Sequence, residues 1–387
     1  MLPGPLREPS DGSVVHHYGS GVSPDATTDA ASDRRATLLD ALHRQSRSCA
    51  HLGSPLYAAL LGEIAADVAT GGACGALLEP VSERPVHDAV PLRLLAVTHE
   101  LALRGDAPDL ARRYPSCGGA WSGAPLLPAL LAALAATPNE VAAGLARNVQ
   151  TNEIGRLAAV VAGCHHIGQR TGLPVRSFEV GASAGLLSMW PYARVETGAT
   201  AAGDPASALR LDASWFEPPL PPLDADMRVT AVAACDVSPI DVTTEDGRRR
   251  VASFVWPDHP ARRERLLAAC DLARAHGLRV DRADAGDWLA EHLADPMPVG
   301  VATIVFHSIV WQYLPTTTRD ALRAALSSAS ATARPDAPLA WLRLEPATPE
   351  HADLRLTMWT GPDVTDRADA VLAHVGYHGA PVRWLVQ

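Results

Sequence analysis

A mixed α/β fold is predicted, with a mostly parallel sheet following an all-helical N-terminal region. Three observations carry that expectation. Strand-like runs fall at 175–180, 229–235, 278–283, 301–307, 339–345, 354–360 and 382–386, all after Pro174. Helical patterns at 260–276 and 318–328 separate the earlier runs, and strands that alternate with helices imply parallel pairing through right-handed crossovers. Before Pro174 no strand alternation interrupts the helical periodicity.

The elements follow in chain order. Residues 1–33 are rich in Gly, Pro, Ser, Asp and Thr and read as a disordered tail. Residues 34–174 read as a helical region, a lid or substrate module. Ser54-Pro55 is a helix start, with a capping hydroxyl and proline at the first helical position, and Leu56, Leu60, Leu61, Ile64 and Val68 recur until Gly71-Gly72. Leu92, Leu95, Ala96, His99 and Leu103 repeat the pattern before Gly105. Asn139 is expected to cap a helix through Leu145, and Ile154–Gln169 forms another. Residues 175–387 form the sheet domain, closed by an antiparallel hairpin with a short helix near 366–375. Five alternating units and a closing hairpin resemble the Rossmann-like, seven-stranded sheet of class I S-adenosylmethionine (SAM) methyltransferases.

Composition narrows the chemistry. The chain has 387 residues, 47% hydrophobic and 20% charged, which is ordinary for a globular protein. The net charge of -10 and the absence of a basic stripe argue against a nucleic-acid partner. All 33 basic residues are arginine; with no lysine there is no pyridoxal phosphate Schiff base, no Walker-type loop and no lysine nucleophile. Six scattered cysteines form no Cys-x-x-Cys pair, as in reduced cytosolic proteins. The longest apolar run, Ala124–Ala136, is shorter than the ~20 residues that span a bilayer. A cytoplasmic protein with a small-molecule substrate, no membrane and an open question of oligomer or partner subunit is the expectation. A metal is not expected: His165-His166 are adjacent and diverge on a helix, and no His-x-x-x-His with a Glu occurs.

The segment Arg176-Ser-Phe-Glu-Val-Gly-Ala-Ser-Ala-Gly185 reads as a strand, a glycine turn and a helix start, where α/β proteins place ligands. Glu179, Gly181, Ser183 and Gly185 resemble the cofactor loop of SAM methyltransferases. Asp236 follows the next strand, where a carboxylate can accept from a ribose diol; the long interval from Gly185 requires an insertion, with Trp215–Pro222 as the candidate. Asp284 and Trp288 are candidates to frame an adenine. His307 and Tyr313, with Ser308 and Gln312, follow the fourth strand and supply acid/base candidates. Asn148–Arg156 concentrates polar groups; Gln150, Asn152, Glu153 and Arg156 are the candidate substrate contacts, against the plainer reading that Thr151 or Asn152 caps a helix. Gly181-x-Ser183-x-Gly185 also fits a hydrolase nucleophile elbow, with Asp284 or Asp287 and His307 completing a triad. Against it stand Glu179 beside the serine and the lack of an upstream oxyanion segment.

The chain resembles the bacterial family known as domain of unknown function 2332. The resemblance rests on Val149–Arg156, Glu179–Leu186, Cys235–Val242, Val255–Pro260 and Val305–Ser308, spaced over roughly 36–387. It implies a methyltransferase-like core with an added helical region and brings no assigned reaction. After the glycine turn the family tends to carry Asn-Leu and an Asp-Arg-Tyr segment, where this chain has Leu187-Ser-Met-Trp-Pro-Tyr192. That departure leaves room for a non-methylating elimination or cyclisation, or a non-catalytic subunit.

Overall fold

The computed structural model describes residues 24–294, 296–361 and 369–386. Within them, every element up to Thr171 is helical and the first strand begins at Val175. The expected tail falls mostly on residues 1–23, outside the described residues; the first helix is Pro24–His51, so it begins before the expected boundary at 33. The helix Pro55–Ala69 starts as the sequence implies, with Ser54 Oγ accepting from the Tyr57 amide at 3.3 Å. The helix Pro138–Leu145 is preceded by Thr137, so Asn139 sits inside it rather than capping it.

Among the described residues twelve strands follow: β1 (Val175–Val180), β2 (Arg194–Glu196), β3 (Ala201–Ala202), β4 (Arg210–Leu211), β5 (Phe216–Glu217), β6 (Val229–Asp236), β7 (Asp281–Arg282), β8 (Ala302–Ser308), β9 (Leu339–Pro346), β10 (Ala352–Trp359), β11 (Ala370–Val375) and β12 (Val382–Trp384). Nine make one sheet in the order β5-β12-β11-β10-β9-β8-β1-β6-β7, and β3-β2-β4 make a small second sheet. The large sheet is parallel from β7 through β9, then antiparallel through β10, β11 and β12. It therefore has nine strands where seven were expected. One addition is β11: the short helix expected near 366–375 is a strand over Ala370–Val375, because β10 and β12 both offer it an edge to pair with. The other is β5, from the proline-rich stretch Trp215–Pro222, which pairs with β12. The interval between Gly185 and β6 does hold an insertion, the small sheet.

The chain passes from β1 outward to β6 and β7, then crosses back to β8 and β9 on the other side. Strand order thus reverses between β1 and β8, the place where open α/β sheets commonly bind ligands. Apolar alternation seals both faces. On one side Ile304, Phe306, Leu342 and Leu344 pack under the helices Leu157–Thr171 and Pro260–Ala275. On the other, Phe178, Val180, Val305 and Leu339 pack under the helices Ala285–His292 and Thr316–Ser330. A third core, from Leu38 to Leu145 with Trp256, belongs to the helical region. The helix Leu157–Thr171 therefore sides with the sheet, and the helical core ends near Leu145 rather than 174.

Val255–Pro260 explains how the two parts are joined. Asp258 accepts from Ser54 Oγ at 2.6 Å and the Leu56 amide at 3.1 Å, at the N-terminus of the helix Pro55–Ala69, where a carboxylate is favoured. His259 contacts the Gly53 carbonyl at 2.9 Å, and Trp256 enters the helical core. No helix among the described residues is long and apolar enough to cross a membrane.

Candidate functional site

β1 delivers Glu179 and then the glycine turn to the middle of the carboxyl edge. Gly181, Ser183 and Gly185 have φ of 66°, 56° and 70°. A Cβ on Gly181 would lie 2.4 Å from the Val310 side chain, so glycine is demanded there by packing as well as by the backbone. Ser183 carries a left-handed backbone without being glycine, which needs compensation from its surroundings. It has it: its amide donates to Asp236 Oδ2 at 2.8 Å, its Oγ accepts from Asn152 Nδ2 at 2.9 Å and donates to the Gln150 carbonyl at 3.4 Å.

The turn is closed from above by the polar segment that precedes the helix Leu157–Thr171. Asn152 Oδ1 accepts from the Ala184 amide at 3.3 Å. Gln150 Nε2 donates to the Ser238 carbonyl at 2.8 Å and to Asp236 Oδ1 at 3.4 Å, while Arg250 holds Gln150 Oε1 at 2.9 Å. Asp236 Oδ1 also takes the Ser238 amide at 2.8 Å. With Ala182 donating to the Cys235 carbonyl and Gly185 to the Ala182 carbonyl, all four amides from 182 to 185 are satisfied inside the protein. Asn152 is thus a latch on the turn and not a helix cap. Glu153 plays the capping part, accepting from the Gly155 amide at 3.2 Å, and forms a buried ion pair with Arg262 at 2.6 Å. Burial alone raises the Glu153 carboxyl, but Arg262, His378 and Arg156 outweigh it and hold it below the usual range. Glu153 faces a salt bridge and not a pocket. Gly155 admits no side chain, since a Cβ would stand 2.1 Å from the His378 carbonyl oxygen.

Glu179 is buried beside this latch. Ser188 Oγ donates to its Oε2 at 2.6 Å, and burial, aided by the charge of Asp236, pushes its carboxyl up to about 8. Two predicted partners are not brought to it. Asp284 caps the helix Ala285–His292, accepting from the Gly286 amide at 2.8 Å and from Thr318 Oγ1 at 2.5 Å. Trp288 is 4% exposed, donates to Asp281 at 2.8 Å and lies edge-on to Phe178 with ring centroids 5.8 Å apart. Phe178 and Glu179 are neighbours in β1 and face opposite sides of the sheet. Asp284 and Trp288 therefore serve the far core, as an Asp at a cap position and a Trp at helical spacing commonly do.

Beyond β1, the ends of β8 and β9 carry a second polar group. His307 is 2% exposed, and its Nδ1 lies 2.7 Å from Glu345 Oε1. The imidazole stacks on Trp311, centroids 5.5 Å apart. Glu345 Oε1 also accepts from the Val310 and Trp311 amides at 3.1 and 3.3 Å. His307 Nε2 and Glu345 Oε2 are buried and have no hydrogen-bond partner among the described residues. Such atoms cost about 1–3 kcal/mol each and ask for a reason. Two residues on, Ile309 holds a φ of 49°, a costly conformation for a β-branched side chain. Arg156 reaches the same edge, with a guanidinium nitrogen 3.4 Å from Ser308 Oγ and its Nε donating to the Tyr377 carbonyl at 3.2 Å. Tyr313 is 54% exposed at this edge, near enough to Arg156 to influence its charge.

Sequence reasoning missed Glu345, Ser188, Arg250 and Arg262. Glu345 alone had a signal: the alternation Trp341, Arg343, Glu345 puts an acid at the carboxyl end of a strand. The Ser183 hydroxyl is held by Asn152 and Gln150, and no imidazole is among its hydrogen-bond partners in the described residues. A cavity of about 210 Å³ lies elsewhere, between Val97, Glu100, Arg104, Glu140 and Arg147 of the helical region.

Fold and site together define a mixed α/β protein with partly unsatisfied polar groups at the carboxyl edge of a mostly parallel sheet. The chain belongs to the bacterial family described as "Uncharacterized protein conserved in bacteria (DUF2332)", whose model matches residues 39–384. No curated protein and no solved structure matches it.

Proposed function

We propose that the chain is a SAM-binding, methyltransferase-like enzyme with a Rossmann-like core that acts on a small polar metabolite. The observation that carries this reading is the reversal of strand order between β1 and β8, with the glycine turn, Glu179 and Asp236 together at that point of the carboxyl edge. When bound, SAM supplies an electrophilic methyl group. Glu179 would receive the ligand's ammonium and give up its proton as that cation arrives. Asp236 already accepts three hydrogen bonds, and a carboxylate has about four lone-pair positions, so one remains for a ribose hydroxyl. The fit is incomplete at the turn, whose amides are taken by Asp236, Asn152 and protein carbonyls; a ligand must settle above them or displace Asn152.

On the β8–β9 side Arg156 and Ser308 would orient the acceptor. His307, held by Glu345, lies on the Phe178 face of the sheet, opposite Glu179, and is not given the acceptor's proton. Methyl transfer draws mainly on alignment, so no strong base is required. A second reading, a non-methylating reaction or a partner subunit on the same fold, is favoured by the closed turn itself.

Calorimetric titration of the full chain with SAM and with its demethylated product separates these readings. Saturable, one-to-one binding weakened at least tenfold in Glu179→Gln is the expected result. Absence of heat and of any thermal shift at millimolar ligand would leave only the second reading.

A further inference from the structure

We propose that His351, Asp353 and His374 bind one divalent first-row transition metal, zinc or iron(II). Two of the three side chains come from neighbouring strands, and His351 stands just before β10. Asp353 and His374 are direct cross-strand partners in β10 and β11, and His351 precedes Asp353 by two residues, so strand alternation puts all three on one face. One donor atom from each lies within 4.8 Å of the others. Two separations within the group are close to those of a coordination shell. His374 Nδ1 and His351 Nε2 lie 3.0 and 3.6 Å from the same oxygen, Asp353 Oδ1. Around a tetrahedral ion with ligand distances of about 2.0–2.1 Å, donor atoms stand roughly 3.4 Å apart.

The rings themselves point to a cation. Their centroids are 4.2 Å apart, and both nitrogens are directed at one carboxylate oxygen. Without a metal, each contact needs its own ring proton; one divalent ion replaces both and uses the lone pairs instead. The outer contacts hold the donors in place. Thr348 Oγ1 sits 3.0 Å from His351 Nδ1 and accepts from the Glu350 and His351 amides at 3.2 Å, and Arg355 holds Asp353 Oδ2 at 3.1 Å. Arg355 is itself paired with Asp369 at 3.2 Å, which tempers its charge beside a cation.

The donor set selects the metal. Two imidazoles and a carboxylate suit zinc or iron(II) and disfavour magnesium and calcium, which take oxygen ligands. Three protein ligands leave further positions for water or a substrate oxygen. Asp353 is the direct cross-strand partner of Glu345, whose Oε2 is buried without a hydrogen-bond partner among the described residues and whose Oε1 holds His307. The metal would therefore sit one strand from the His307–Glu345 pair, on the same face of the sheet. Side-chain exposures of 28%, 14% and 38% for His351, Asp353 and His374 leave an entry path.

The test uses the full chain stripped with a chelator and titrated with Zn²⁺, anaerobic Fe²⁺ and Mg²⁺, with Co²⁺ absorption as a report on geometry. One equivalent of zinc or iron(II) should bind, the tighter of the two naming the metal, and Mg²⁺ should not. His374→Ala and Asp353→Asn should each lower the affinity by about 100-fold or more and abolish the Co²⁺ spectrum, with thermal unfolding confirming that both variants fold. A His16→Ala/His17→Ala variant should bind as before. Absence of stoichiometric binding, binding unchanged in the His374 and Asp353 variants, or binding lost with His16 and His17 would overturn the inference. No SAM is present in the titration, so its outcome is independent of the cofactor reading.

Discussion

The two halves of the carboxyl edge differ in what they leave unsatisfied. Around the glycine turn, Asp236 and Asn152 take the Ser183 and Ala184 amides and the Gln150 carbonyl takes the Ser183 hydroxyl. In the buried Glu153–Arg262 pair Glu153 Oε2 meets the guanidinium at 2.6 Å, and Arg262 Nε is left without a hydrogen-bond partner among the described residues. Across β8 to β11, by contrast, His307 Nε2 and Glu345 Oε2 are buried with no partner among the described residues, and His351, Asp353 and His374 crowd around one oxygen. The first region invests its polar groups in stability. The second holds polar groups whose arrangement stability alone does not explain.

That contrast can be broken by mutation. Glu153→Gln leaves Arg262 buried and uncompensated and should cost about 3–5 kcal/mol, read from urea unfolding. A loss below about 1 kcal/mol would mean that the Glu153–Arg262 pair is not a stability element. Glu179→Gln should show the next largest effect, and one that depends on pH. The folded carboxyl titrates at about 8 and the unfolded one near its ordinary value of 4.5, so the folded state holds the extra proton between them. Wild-type stability should then fall as pH rises through that window, by up to about 1.4 kcal/mol per unit. The Gln variant escapes this decline, so its advantage should grow from acid to pH 8 and then level off; parallel curves would remove Glu179 as the source. Asn152→Ala strands the Ala184 amide and the Ser183 hydroxyl and should cost about 1–3 kcal/mol. His374→Gln, in the half-exposed group on β11, should change stability by less than about 1 kcal/mol without metal. A larger loss would make that group structural, and the contrast would disappear.

Much of the frame was legible from side-chain period. The strands at β1, β6, β8 and β9 and the helices Pro55–Ala69 and Val90–Arg104 follow apolar repeats that tertiary packing did not override. Ala370–Val375 misled because its short Ala-Val-Leu-Ala run suits helix and strand alike, and only the free edges of β10 and β12 decide. At the site, glycine punctuation located the turn, and the 148–156 segment does meet it. Asp284 and Trp288 could not be placed, because a loop acid and an aromatic carry no mark of which face they serve. The His351-x-Asp353 pair carries no such mark either. Helical metal spacing does not match it, because this group uses a two-residue step and a ligand from the neighbouring strand.

The most direct test of the central proposal is the proton count on SAM binding, measured by calorimetry near pH 7 in two buffers of different ionisation enthalpy. A neutral Glu179 that ionises to meet an ammonium predicts release of about one proton, with affinity rising towards pH 8, and loss of that release in Glu179→Gln. Binding with no proton exchange, or none at all, would contradict it.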